Sequence, residues 1–195
     1  MDDIEDPVQL WFTNHVDTVY RALDTLQPAL LAAAGALRET LLADRRLLSA
    51  GSGTGVVLAQ HFAATLLNRL RMERPALPVL LLGNDAATSG AIAEGYGHAE
   101  ALARQVKAFC QPGDTVLLVA GCASSALQAA ARAAHARGAR LIVIGSELAD
   151  AGPLPGPQDI ELRVPSEEPT RASECQLLLL NCLAELLERE LFGAD

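Results

Sequence analysis

The sequence predicts an α/β fold, a three-layer αβα sandwich around a mainly parallel sheet, with helices ahead of the first strand. Three observations lead there. Short apolar runs unbroken by polar residues, the mark of strands covered on both faces, alternate with helical stretches. Two of those runs enter glycine-rich turns that open a helix. Ala and Leu supply much of the 50% apolar content while aromatics make up 4%, which suits helices packed on a parallel sheet and does not suit a β-sandwich.

Taken in order, two amphipathic helices are expected first, over about Val8–Leu26 and Ala29–Arg46, with Pro7 and Pro28 as their punctuation. Arg46–Ala50 is a short strand that runs into Gly51-Ser52-Gly53-Thr54-Gly55 and a helix from Val56 to about Met72. The unit recurs at Val79–Leu82 before Gly83-Asn84-Asp85, at Thr115–Ala120 before Gly121-Cys122-Ala123-Ser124-Ser125, and at Arg140–Ile144 before Gly145-Ser146. A strand at Ile160–Val164 and a helix from about Pro169 to Leu191 close the chain, after one evident loop at Asp150–Gln158 rich in Gly and Pro. With 195 residues the expectation is one domain, residues 1–46 forming a helical oligomerisation segment and 47–195 the αβα core. Trp11, Leu23, Leu26, Leu30, Leu31, Leu37 and Leu41 give that segment more apolar surface than one such core covers, so a homo-oligomer is expected.

A net charge of -9 opposes direct binding to nucleic acid, which relies on clustered Lys and Arg. Four cysteines without a CxxC pair read as reduced thiols, and the opening MDDIEDP lacks the basic start of a signal peptide, so a cytoplasmic protein is expected. No apolar run approaches the ~20 residues that span a bilayer.

In parallel sheets ligands bind at the carboxyl ends of strands, where backbone N–H groups and helix N-termini favour anions. The two glycine-rich turns mark that edge. Neither matches a dinucleotide or P-loop fingerprint, so they are either an anion cradle or structural turns. Ser124 and Ser125 likewise read as anion donors or as an ordinary N-cap pair.

The run from Gly51 to Ala64, with its Ala59-Gln60-His61-Phe62-Ala63-Ala64 core, resembles the first loop and helix of SIS-domain phosphoheptose isomerases, where the pattern is GNGxSAxxAQHFAAE. Glu73-Arg74-Pro75, Ala103-Arg104-Gln105-Val106, Pro112-Gly113-Asp114 and Leu162-Arg163-Val164-Pro165-Ser166 extend the likeness from about Leu47 to the end of the chain. Gly156-Pro157-Gln158-Asp159-Ile160-Glu161, Asn68-Arg69, Asn181-Cys182-Leu183 and Leu191-Phe192 resemble the non-enzymatic branch of DnaA initiator-associating proteins.

In the isomerases, that resemblance implies, a His and a Glu on the first core helix and a Gln and a His on the last move a proton between adjacent carbons and hold zinc. Here His61 is kept, but Thr65, Ser173 and Asn181 stand at the other three positions, and none is a competent base near neutrality. Where relatives carry STSGNS, this chain has Ala120-Gly121-Cys122-Ala123-Ser124-Ser125. The resemblance thus implies no catalytic residue, no cofactor and no metal. It leaves a vestigial sugar-phosphate pocket of Ser52, Gly53, Thr54, His61, Arg69, Asp85, Ser124 and Ser125, with His61 a hydrogen-bonded pocket or core histidine rather than a relic ligand. The implied partners are other copies of the chain in a homotetramer, the replication initiator DnaA bound through Leu191 and Phe192, and a phosphorylated sugar. A divergent sedoheptulose 7-phosphate isomerase or a sugar-phosphate sensor is the alternative.

Overall fold

In the computed structural model residues 6–148, 156 and 158–193 are described. The expected loop at Asp150–Gln158 lies outside them except for Gly156 and Gln158, as do the first five residues. Six helices and five strands follow in the order α1 (Pro7–Leu42), β1 (Leu47–Ser52), α2 (Gly55–Leu67), β2 (Val79–Leu81), α3 (Ala86–Tyr96), α4 (Glu100–Phe109), β3 (Thr115–Ala120), α5 (Ser125–Ala136), β4 (Arg140–Ser146), β5 (Ile160–Val164) and α6 (Pro169–Phe192). All strand pairs are parallel, in the order β2-β1-β3-β4-β5. The fold is the α/β sandwich the sequence predicts.

The period-two alternation of strands divides the core into two layers. Leu47, Leu117, Val119, Ile142, Ile144, Leu162 and Val164 face α1, α2 and α6, whereas Leu48, Ala50, Val116, Leu118, Leu141 and Val143 face α4 and α5. Because β2 lies on one side of β1 and β3 on the other, the chain reverses direction across the sheet between β1 and β3. Such a switch point leaves a crevice at the carboxyl ends of those two strands.

The N-terminal region departs from expectation. Pro28 does not divide it into two helices; α1 runs unbroken for 36 residues with Pro28 inside. A proline costs an interior helix about 3 kcal/mol through the lost N–H and the clash with the preceding turn. Here Ala22 and Leu26 before it and Ala33 and Leu37 after it bury in one continuous core, which holds both halves in one helix. The apolar residues expected on an exposed face therefore split. Leu26 and Leu37 are buried, Leu30 and Leu41 are partly so, and Trp11, Leu23 and Leu31 remain about half exposed beside Val8, Phe12, Val16 and Tyr20.

The helix after β1 ends at Leu67, not near Met72. The cause is a buried ion pair. Arg74, its side chain closed off from solvent, donates to the carbonyls of Thr65 and Leu66 at the end of α2 and to that of Pro75, and meets Glu188 of α6 at 2.9 Å. Glu188 in turn accepts the backbone N–H groups of Leu70, Arg71 and Met72. The segment after α2 is thus wound around a carboxylate instead of continuing the helix.

Burial alone would raise the pKa of Glu188, but the three N–H groups and the Arg74 guanidinium outweigh it and hold the carboxyl below its ordinary 4.5. A depressed folded-state pKa means the stabilisation is complete above about pH 4.5 and is lost as pH falls through the folded value. Replacing Glu188 by Ala, which leaves Arg74 uncompensated, should cost about 3 to 5 kcal/mol in urea unfolding at neutral pH. In a series of urea midpoints from about pH 3 to 7, the Glu188→Gln protein should lose less stability on the acid side than the parent does. An acid limb of equal slope in both proteins counts against this role for Glu188.

Candidate functional site

The crevice at the switch point is built by two loops that almost touch. Gly53, at φ +54, turns the chain out of β1, and the Ser52 hydroxyl donates to the Cys122 carbonyl at 2.7 Å while the Gly121 N–H donates to the Ser52 carbonyl at 3.0 Å. A Cβ at Gly55 would collide with the Val119 carbonyl, and one at Gly121 with the Thr54 hydroxyl. Gln176 of α6, fully buried, donates to the Ala120 carbonyl at 3.0 Å and ties the last helix to the same corner.

Beside these loops opens a cavity of about 640 Å³. Ser52, Gly53, Ser124 and Ser125 of the expected pocket line it. Ser124 caps α5 by accepting the Leu127 N–H at 3.3 Å, so it acts as a cap while standing at the cavity wall. The lining also includes Gln60, Asn84, Ser89, His98 and Cys122, which sequence reasoning left out of the pocket. Gln60 sits inside the recognised Gln-His-Phe motif and was within reach of it; His98, in the turn between α3 and α4, carries no local signal. Among the described residues no Lys, Arg, Asp or Glu lines the cavity. An anion there would rely on the α5 N-terminus and neutral donors.

Four expected pocket residues lie elsewhere. Thr54 turns to α6 and bonds Ser173 at 2.8 Å. His61 stands on the α2 face that meets α6, exposed, with Nε2 at 2.8 Å from Asn181 Oδ1, because helical geometry sends it about 100° away from Gln60. Arg69 lies beyond the end of α2 in an ion pair with Glu73. Asp85 caps α3. Its carboxyl is held below the ordinary range by the Thr88 hydroxyl and then by the N–H groups of Ala87 and Thr88.

The four positions that carry the isomerase pattern lie on α2 and α6 instead of in the cavity, where His61 meets Asn181, Ser173 meets Thr54 and Thr65 bonds its own helix. Ser173 donates its hydroxyl to the Pro169 carbonyl, so it accepts from Thr54; Thr65 donates to the His61 carbonyl at 2.9 Å. With Asn181 Oδ1 as the acceptor, His61 Nε2 is the donor and the imidazole lone pair is left on Nδ1. One imidazole engaged as a donor, two hydroxyls already bonded and one amide do not fit zinc, which takes His nitrogen, Cys thiolate and carboxylate. Glu174 and Cys175 do not replace them. Glu174 turns to His15 and Arg171, and Cys175 is buried, its thiol pushed up to about 11 by desolvation.

At the end of α6, Leu191 packs partly against the core whereas Phe192 is 42% exposed, so the expected pair is divided. A more open groove of about 970 Å³ lies between the first half of α1 and the start of α6, where Arg171 stacks on Trp11 at 3.8 Å.

Residues 11–146 match the SIS domain model. The phosphoheptose isomerase of Halorhodospira halophila is 38% identical over 99% of this chain and 98% of its own. The DnaA initiator-associating protein DiaA of Shigella flexneri serotype 5b is 36% identical over 97% of both chains, so identity does not choose between the two. Solved structures of phosphoheptose isomerases superpose closely. That from Francisella tularensis has a TM-score of 0.87 and 31% identity, and that from Neisseria gonorrhoeae 0.83 and 26%, each covering 93% of this chain and 96% of the other. Fold, loop geometry and these likenesses agree that the chain belongs to the SIS-domain family, in the group that holds phosphoheptose isomerases and the initiator-associating protein DiaA.

Proposed function

We propose that this chain is a non-catalytic SIS protein, one domain over residues 1–195, which acts in the cytoplasm as a homotetramer that binds the initiator DnaA and promotes its assembly at the replication origin. The observation that carries this reading is the neutral seam between α2 and α6. A proton transfer between carbons needs a base paired with an acid or a metal; Thr65, Ser173 and Asn181 offer neither, and His61, its Nε2 bonded to Asn181, keeps only the Nδ1 lone pair. Support for association comes from the first half of α1, where Val8, Phe12, Val16, Tyr20 and Leu23 share a side and are each 46% exposed or more. Avidity then lets one assembly hold several initiator molecules.

A second reading, a divergent isomerase or a sugar-phosphate sensor, is favoured by the persistence of the cavity with Ser124 and Ser125 at the α5 N-terminus.

Turnover of sedoheptulose 7-phosphate should be about 100- to 10,000-fold below that of an enzyme with its acid–base pair intact, and unchanged by zinc or a chelator. Fast, zinc-dependent turnover in a coupled assay moves the chain to the second reading. Light scattering at micromolar concentration should give four times the chain mass; a monomer mass removes the tetramer. Because Phe192 is exposed and Leu191 is not, Phe192→Ala should weaken capture of DnaA about 30-fold, as loss of an aromatic anchor worth ~2 kcal/mol does, with the melting temperature unchanged. Leu191→Ala should lower the melting temperature instead. Undiminished capture by the Phe192→Ala tetramer rules out that anchor.

A further inference from the structure

The element beside the cavity that the proposed function leaves unexplained is α3. Its eleven residues include none that is buried, which no other helix here shares. It rests mainly on α4, held there by Arg104 stacked on Tyr96 at 3.6 Å. Two glycines, Gly90 and Gly95, interrupt it, and a Cβ at either would meet nothing within 4 Å. Packing therefore does not require them, and each weakens the helix relative to Ala. Glycines with φ of +76 and +87, Gly83 and Gly97, bound the segment at its two ends.

One group on α3 looks into the cavity. The Ser89 hydroxyl belongs to the lining, is shut off from solvent and has no hydrogen-bond partner. An inaccessible polar atom without a partner is costly, and it gains a partner when the helix carrying it shifts against a ligand. Asn84, between the first hinge glycine and the Asp85 cap, lines the same wall.

We infer that α3 is a lid, swinging on Gly83 and Gly97 over the cavity at the carboxyl edge of the sheet and closing when an anionic ligand gives Ser89 a hydrogen-bond partner. The inference rests on the reading of that cavity as a sugar-phosphate pocket. The opposite loops, 52–55 and 121–125, are pinned to one another and to α6, so α3 is the wall free to move. Elements of few buried contacts are those that open locally.

Hydrogen–deuterium exchange on the full-length protein tests this, with inorganic phosphate at millimolar concentration as the probe. In its absence the amides of 86–96 should exchange at least about tenfold faster than those of α4 and α5. The double variant Gly90→Ala, Gly95→Ala, for which the structure has room, should slow them roughly 5- to 30-fold and leave α4 and α5 unchanged. Phosphate should slow 86–96 together with 52–55 and 121–126, and Ser89→Ala should abolish the effect on 86–96 alone. If 86–96 are as protected as α4 without phosphate, for instance because a second copy covers them, the lid is overturned. Phosphate protection confined to the two loops also overturns it. Protection nowhere overturns the pocket reading as well, and is told apart because the loops then fail to respond.

Discussion

The close approach of the loops after β1 and β3 is the constraint on which the rest of this structure hangs. Gly55 must sit against the Val119 carbonyl and Gly121 against Thr54, distances that no side chain at either glycine would permit. That contact brings the start of α2 under the end of β3, which in turn fixes which face of α2 meets α6. Gln176 and the Arg74–Glu188 pair then fasten α6 at two points along its length, one at the sheet's carboxyl edge and one beyond the end of α2. The cavity on one side of the loops and the polar seam on the other are both consequences.

The fastening by Arg74 and Glu188 also shows why a buried charge is tolerated here. Each oxygen of Glu188 accepts from backbone or guanidinium, and Arg74 spends its donors on carbonyls that α2 leaves open at its end. Buried ion pairs stabilise only when the remaining donors and acceptors are met, and this one doubles as the C-terminal cap of a helix whose own cap residue, Asn68, makes only a backbone bond.

The strands were legible because a doubly covered parallel sheet demands unbroken apolar runs, and Thr115–Ala120 and Ile160–Val164 coincide with expectation to the residue. Helix ends were less so. Pro28 reads as a break, yet core contacts on both sides carry α1 through it; Met72 reads as helical, yet a carboxylate 116 residues away draws its N–H out of the helix. Ser52, Gly53, Ser124 and Ser125 could be placed from the strand–turn–helix pattern, since backbone topology alone brings those turns to one edge. Thr54, His61, Arg69 and Asp85 could not, because their side chains are directed by local helix geometry and by partners distant in sequence. His98 had no signal, arriving at the cavity only through the way α4 packs.

The seam between α2 and α6 shows how the fold keeps its shape with other side chains at the positions of the isomerase pattern. A cluster of His, carboxylate and amide held by a metal is stable only while the metal and the charges balance; removing the carboxylate alone would leave polar atoms unmet at a helix interface. Here the substitutions are mutually consistent. Asn181 presents an acceptor to the protonated Nε2 of His61, Ser173 receives the Thr54 hydroxyl while donating to its own helix, and Thr65 turns back onto the His61 carbonyl. Each is a short group that completes a hydrogen bond with its neighbour, so the seam closes on hydrogen bonds alone. The loops and the cavity are set by glycines and backbone bonds and not by this seam. The cavity's donors, Ser89, Ser124 and Ser125 among them, stand on elements that the seam does not control.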